Sequence, residues 1–156
     1  MIPTLRDPLP ADYDALATWV PDARACMRWA GPRVSFPFSA AGLPAQLAVA
    51  GGQSSFLDEG DGSPAGFGQH WVATAGAVHL GRVIVAPAMR GWGLGVVLCR
   101  LLMAQAVART GASEVTLRVY RDNLVALRTY TGLGFVPVEA ESDVTVLFMK
   151  ASLGTR

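Results

Sequence analysis

Three glycines, Gly91, Gly93 and Gly95, fall within five residues at the point where an amphipathic helix has to begin. Ahead of them His79 to Val85 reads as an apolar strand that leaves towards Pro87. Behind them Leu94, Val97, Leu98 and Leu101 recur at the three-and-four spacing of one buried helical face. Burying four such side chains at ~1.5–3 kcal/mol each secures the helix without its first turn. Each glycine opposes that by roughly 0.5–1 kcal/mol relative to Ala. Bare main chain at a helix start serves anion capture: the first four amides lack a partner inside the helix and carry the positive end of its dipole. Without side chains in the way, a phosphate can reach them directly. Arg90 adds a planar cation suited to phosphate. The stretch Arg90, Gly91, Trp92, Gly93, Leu94, Gly95, Val96 is therefore expected to bind a diphosphate-bearing cofactor.

A second cluster follows: Asn123, then Ala126, Tyr130 and Gly132-Leu133-Gly134-Phe135. With this sequel, Arg90-Gly91-Trp92-Gly93-Leu94-Gly95 resembles the Gln/Arg-x-x-Gly-x-Gly/Ala signature of the GNAT superfamily of N-acetyltransferases, whose loop binds the pyrophosphate of coenzyme A. The resemblance covers roughly residues 53 to 150; the first fifty match no signature as specific. It implies a single α/β GNAT-type domain over residues 1–156, with a mixed, mostly antiparallel central sheet of about six or seven strands flanked by helices. Residues 1–50 would be a helical acceptor-side portion and 53–150 the cofactor-binding core. The implied donor is acetyl-CoA, without a metal. Val83, Ile84 and Val85 would meet its pantetheine arm through their backbone, Asn123 would bond the arm from the other side, and Tyr130 occupies the family's general-acid position. Trp29, Arg33, Phe36 and Phe38 fall in the segment that would contact the acceptor.

The residues themselves support a compatible order. A strand is expected within Met1 to Arg6, and Pro10 opens a helix of about ten residues that stops before Pro21. A shorter helix runs from about Ala23 to Trp29, a proline-punctuated loop reaches Phe38, and Ala40 to Ala50 is a further helix candidate. Strands are expected over about Gln53–Leu57 and Ala65–Val72, joined by the solvated turn Asp58 to Pro64, and over Glu114–Arg121. Gly111 caps the central helix, Asp122 or Asn123 caps a helix over Leu124–Thr131, and Phe135–Glu139 with Thr145–Lys150 closes the sheet as a hairpin.

Catalysis by this reading needs a proton donor for a leaving thiolate. A Tyr near pKa ~10 is protonated at neutral pH and can offer its proton to the leaving thiolate, whose thiol has a pKa near ~8.5. That makes Tyr130 the expected general acid. The base is less well defined, because the strand before the glycine turn carries no acid, only His79. His79, His70, Asp58, Glu59 or water remain open for that role. A helix cap for Asn123 and core packing for Tyr130 are the alternative readings of those two residues.

A net charge of +1 provides no electrostatic footprint for nucleic acid or an anionic membrane. Two cysteines, Cys26 and Cys99, are too few for a disulfide framework or a zinc site. No secretory signal is read in MIPTLRDPLP, and Arg100 with Gln105 interrupts the longest apolar run, so a cytoplasmic protein is expected. The expected partner is a small-molecule or peptide amine, and a homodimer is compatible with the sequence. The acceptor's identity and the use of an acyl group other than acetyl stay open. Two alternatives remain: a non-catalytic acyl-CoA sensor of the same fold, and a dinucleotide-binding oxidoreductase. The latter is weakened because Gly91-x-Gly93-x-x-Val96 lacks its third small residue.

Overall fold

The computed structural model describes residues 2–153. Its strands are β1 (Thr4–Arg6), β2 (Gln53–Asp58), β3 (Pro64–Thr74), β4 (Ala77–Val85), β5 (Glu114–Tyr120), β6 (Val136–Pro137) and β7 (Val146–Ser152). Its helices are α1 (Pro10–Thr18), α2 (Ala23–Ala30), α3 (Leu43–Leu47), α4 (Leu94–Thr110) and α5 (Leu124–Gly132). All seven strands form one sheet in the order β1-β2-β3-β4-β5-β7-β6. Every pairing is antiparallel except β4 with β5. This is the mostly antiparallel α/β sheet expected from the sequence, and not the doubly wound parallel sheet that the dinucleotide alternative requires.

The parallel pair is short. Only Ala77, Val78 and His79 pair with Glu114, Val115 and Thr116. Beyond that point β4 runs on to Val85 and β5 to Tyr120 with no partner across the gap. A bulge in β4 accompanies the separation: Phe67 faces Ile84 but Gln69 faces Gly81, so β4 spends one extra residue. Arg82 sits in it at φ 53°, the single non-glycine residue with positive φ among the described residues.

Two apolar clusters pack on the two sides of the sheet. One joins Leu98 and Leu102 of α4 to Leu80, Val115, Met149 and Phe135; the other joins Leu16, Leu43 and Leu47 to Phe56 and Phe67. The central helix approaches β3 so closely that a Cβ on Gly68 would lie 2.4 Å from Leu102 Cδ1. That glycine is demanded by packing. Its helix ends as expected, with Gly111 at φ 69° and its amide donating to the Val107 carbonyl at 2.8 Å.

Some elements differ from expectation. Met1 of the first strand lies outside the described residues. The helix expected over 40–50 is reduced to Leu43–Leu47, entered through Pro44 and ended by an extended Ala48. The first arm of the closing hairpin keeps only Val136–Pro137, because the chain then winds into a 3₁₀ turn at Glu139–Glu141. The turn after β2 is not simply solvated. Asp58 accepts Arg6 Nε–H at 2.8 Å and the amides of Gly60 and Gly62, while Arg6 Nη1 meets Asp12 at 2.6 Å. One guanidinium thus ties β1 to α1 and to the β2–β3 turn.

Arg6 holds the Asp12 carboxyl below its ordinary range, and turn amides with Arg6 do the same for Asp58. Depressed folded-state values mean that this stabilisation is present above about pH 4 and is lost as pH falls through them. Arg6→Met should lower stability by about 2–4 kcal/mol in urea unfolding at pH 7, with a smaller difference from wild type at pH 3.

Candidate functional site

A cleft of about 880 Å³ opens where β4 and β5 part. Val83, Ile84 and Val85 form one wall, and Asn123, Ala126, Thr129 and Tyr130 of α5 and its cap form the other. The first turn of α4 closes one end, and Trp19 to Pro21 with Ala25, Arg28 and Trp29 cover the α1–α2 side. No Asp or Glu among the described residues lines it.

The mouth of α4 has the character expected from its glycines. Gly93 is the N-cap in a left-handed conformation (φ 80°), and no side chain caps the helix. Gly91 also has positive φ, at 84°. A Cβ built on Gly91, Gly93 or Gly95 would find nothing within 4 Å. Unlike Gly68, these glycines are not bare because a neighbour fills the space; they face open volume. Helix-start amides without a capping group, a dipole end and open space together suit a dianionic group. Arg90 donates Nε–H to the Val85 carbonyl at 3.1 Å, which anchors its guanidinium to the end of β4. Trp92 projects into solvent, 79% exposed, and is not part of the cleft wall.

Tyr130 packs edge-on against buried Phe135, at 5.8 Å between ring centres. Its hydroxyl meets the Cys99 thiol; burial first, and that neighbour second, push its pKa above the usual phenol value. Burial pushes the Cys99 thiol up to about 12. At neutral pH both groups keep their protons, so the cleft's inner wall presents a neutral donor pair. Asn123 caps α5, its Oδ1 accepting the Ala126 amide at 3.2 Å. It also faces the cleft, with its side-chain NH₂ unengaged among the described residues.

The remaining candidates are dispersed. Trp29 lines the cleft and donates Nε1–H to the Arg82 carbonyl at 2.8 Å. Arg33 and Phe36 are exposed and outside it, Phe36 resting on Phe38 at 5.5 Å. His79 is also outside. Its ring lies between Trp71 and Phe148 (5.1 and 6.3 Å), and Nδ1 is 2.8 Å from Thr116 Oγ1. Burial and the Arg118 charge lower its pKa to about 4. Asp58 is held by Arg6, and His70 is bonded to Gln105 Oε1 at 2.8 Å. The sequence reading did not single out Cys99 or Arg28 for the cleft. Cys99 lies one helical turn after Gly95, a spacing that places both on one face of α4. Arg28 carried no such signal: its pairing with Asp122 at 2.6 Å and its stacking 4.2 Å over the Tyr120 ring join segments 94 residues apart.

Three comparisons bear on this geometry. The model of the acetyltransferase (GNAT) family matches residues 19–135. A mycothiol acetyltransferase from Tsukamurella paurometabola is 43% identical over 96 residues, 59% of this chain. The chain spans about a third of the length of that relative. Among solved structures, spermidine N-acetyltransferase from Vibrio cholerae with CoA and spermine aligns at TM-score 0.78 and 16% identity, covering 96% of this chain and 95% of that one. The AAC(6')-Ib structure with ribostamycin and coenzyme A aligns at 0.77 and 21%, covering 97% and 94%. At these identities the structural likenesses establish the fold. No helix among the described residues is long and apolar enough to cross a membrane, and no group of three or more potential metal ligands lies among them.

His79 should stay neutral from pH 5.5 to 8 in an NMR titration, protonating only near pH 4, and Arg118→Gln should raise that midpoint. Because its folded-state pKa lies below the unfolded value of about 6.5, stability should rise with pH between those two limits.

Proposed function

The chain belongs to the acetyltransferase (GNAT) family, and we propose that it moves an acetyl group from acetyl-CoA to a primary amine by direct attack. The observation that carries this reading is the coincidence of an uncapped, unobstructed helix mouth with the gap between β4 and β5. When bound, acetyl-CoA supplies an activated acyl thioester. The residues present fit such a donor: amides from Gly91 to Val96 and the positive end of α4 hold the pyrophosphate, with Arg90 beside them. Val83, Ile84 and Val85 offer an unpaired strand edge to the amide-bearing arm, a form of strand addition by a ligand. The Asn123 side-chain NH₂ offers a donor from the opposite wall.

Tyr130 holds a proton on Oη at the inner wall of the cleft, where a leaving thiolate needs one. Its raised pKa keeps that proton in place across the neutral range, so Oη–H serves as a neutral hydrogen-bond donor to the sulfur as negative charge develops on the leaving group. The general base is another matter. His79 lies outside the cleft, and no carboxylate lines it. We therefore assign removal of the amine proton to water, so the acceptor reacts in its neutral form. That same lack of a carboxylate is what favours the second reading, an acyl-CoA sensor without turnover. Thiol release from acetyl-CoA with a panel of amines separates the two, since a sensor binds the donor and releases nothing.

Tyr130→Phe should lower kcat by about 100-fold or more with little change in the KM for acetyl-CoA, measured by thiol release. Wild-type kcat/KM for the acceptor should climb with pH up to the acceptor amine's own pKa, and His79→Gln should leave that profile in place. Gly93→Val should abolish acetyl-CoA binding, because a branched side chain at that positive φ would both strain the turn and project into the open mouth.

A further inference from the structure

Arg82 is anomalous on three counts. It occupies the left-handed region, which is unfavourable for a side-chain-bearing residue by ~1–2 kcal/mol. Its guanidinium is half-buried, yet its partners are all neutral: Nε–H donates to the Ala30 carbonyl at 3.3 Å, and Nη1 to the Leu47 carbonyl at 3.2 Å and Gln69 Oε1 at 3.1 Å. No carboxylate pairs with it among the described residues, and the charge that acts on it is another cation, Arg33, three residues beyond the Ala30 carbonyl that it bonds. Arg6 shows how this chain ordinarily treats a half-buried guanidinium, with two carboxylates. Withdrawing a charge from water without a counter-charge is costly, and a like charge beside it adds to the cost.

The position of the pair gives it a use. Arg82 directly precedes Val83, the first β4 residue of the cleft wall, and its carbonyl holds the indole of Trp29, another wall residue. Its Nη2 has no hydrogen-bond partner among the described residues. Arg33 is exposed, makes no ion pair there, and is free to turn toward an added anion. The cleft wall itself carries no acid, and of the two carboxylates in the adjoining pocket, Asp22 and Asp122, the second is already paired with Arg28.

We propose that Arg82 and Arg33 form an anion subsite beside the cleft, and that the acceptor is an amine carrying a carboxylate or phosphate, not a polyamine. The subsite stands on the two arginines alone; its assignment to the acceptor rests on the acyl-transfer reading. A guanidinium takes either anion through paired N–H donors.

Two experiments test this, and they fail separately. In the first, acetate and inorganic phosphate are titrated into arginine-labelled protein with no acyl donor present, and the Arg82 Nε–H resonance is followed by NMR. A saturable shift is expected, weakened about tenfold or more in Arg33→Gln, a change at an exposed side chain that should leave Tm unaltered. An unresponsive Arg82, or saturation that Arg33→Gln does not weaken, overturns the subsite. In the second, thiol release from acetyl-CoA is compared for glycylglycine, phosphoethanolamine and spermidine. Turnover of either anionic amine in preference to spermidine is expected, the better of the two identifying carboxylate or phosphate, with KM rising about tenfold or more in Arg33→Gln. Preference for spermidine overturns the substrate class while leaving acyl transfer standing. No release with any amine counts against acyl transfer itself, and the anion titration then decides the subsite alone.

Discussion

The separation of β4 from β5 after three residue pairs is the constraint on which the rest of this molecule depends. Parallel strands that stayed paired to their ends would leave a continuous sheet with no opening in it. Here the extra residue at Arg82 accompanies the departure of β4, and separate apolar clusters pack on the two faces of the sheet. Leu98 and Leu102 of α4 pack beneath β3 and β4, while α2 and α3 cover the opposite side. The cleft lies where the sheet is left unjoined, between apolar clusters packed on its two sides.

Each part of the proposed chemistry uses that opening. The helix that follows β4 points its uncapped start at one end of the gap, and the turn feeding it is built from glycines that no neighbour crowds. Tyr130 and Cys99 face inward from α5 and α4 as protonated, neutral groups, because the same burial that forms the wall disfavours their charged forms. The wall holds no acid. Under the proposed acyl transfer, deprotonation would fall to the acceptor and solvent, and Arg82, directly before Val83 of the wall, has no carboxylate partner among the described residues.

What was legible in the sequence was what short-range patterning encodes. Gly91, Gly93 and Gly95 announced bare backbone, Leu94 and Leu98 announced a buried helical face, and alternation from Val115 to Val119 announced a half-buried strand. Long-range pairing was not legible. Nothing local marks Asp58 as the partner of Arg6, so its acid-rich turn reads as solvated. His79 looks poised on a strand beside the motif, but it lies where β4 is still paired with β5, and its ring packs on Trp71 and Phe148, short of the cleft. Arg82 gave no signal because its significance lies in a bulge and in the absence of a counter-charge, neither of which a sequence displays.

In the proposed complex, main-chain amides at the start of α4 hold a diphosphate. The direct measurement is a backbone amide NMR titration with coenzyme A and, separately, with pantetheine, which lacks the phosphates. Large saturable shifts at Gly93, Leu94, Gly95 and Val96 with coenzyme A, and small ones there with pantetheine, are the result predicted. Equal shifts with both ligands, or a helix mouth untouched while coenzyme A binds elsewhere, would contradict the account.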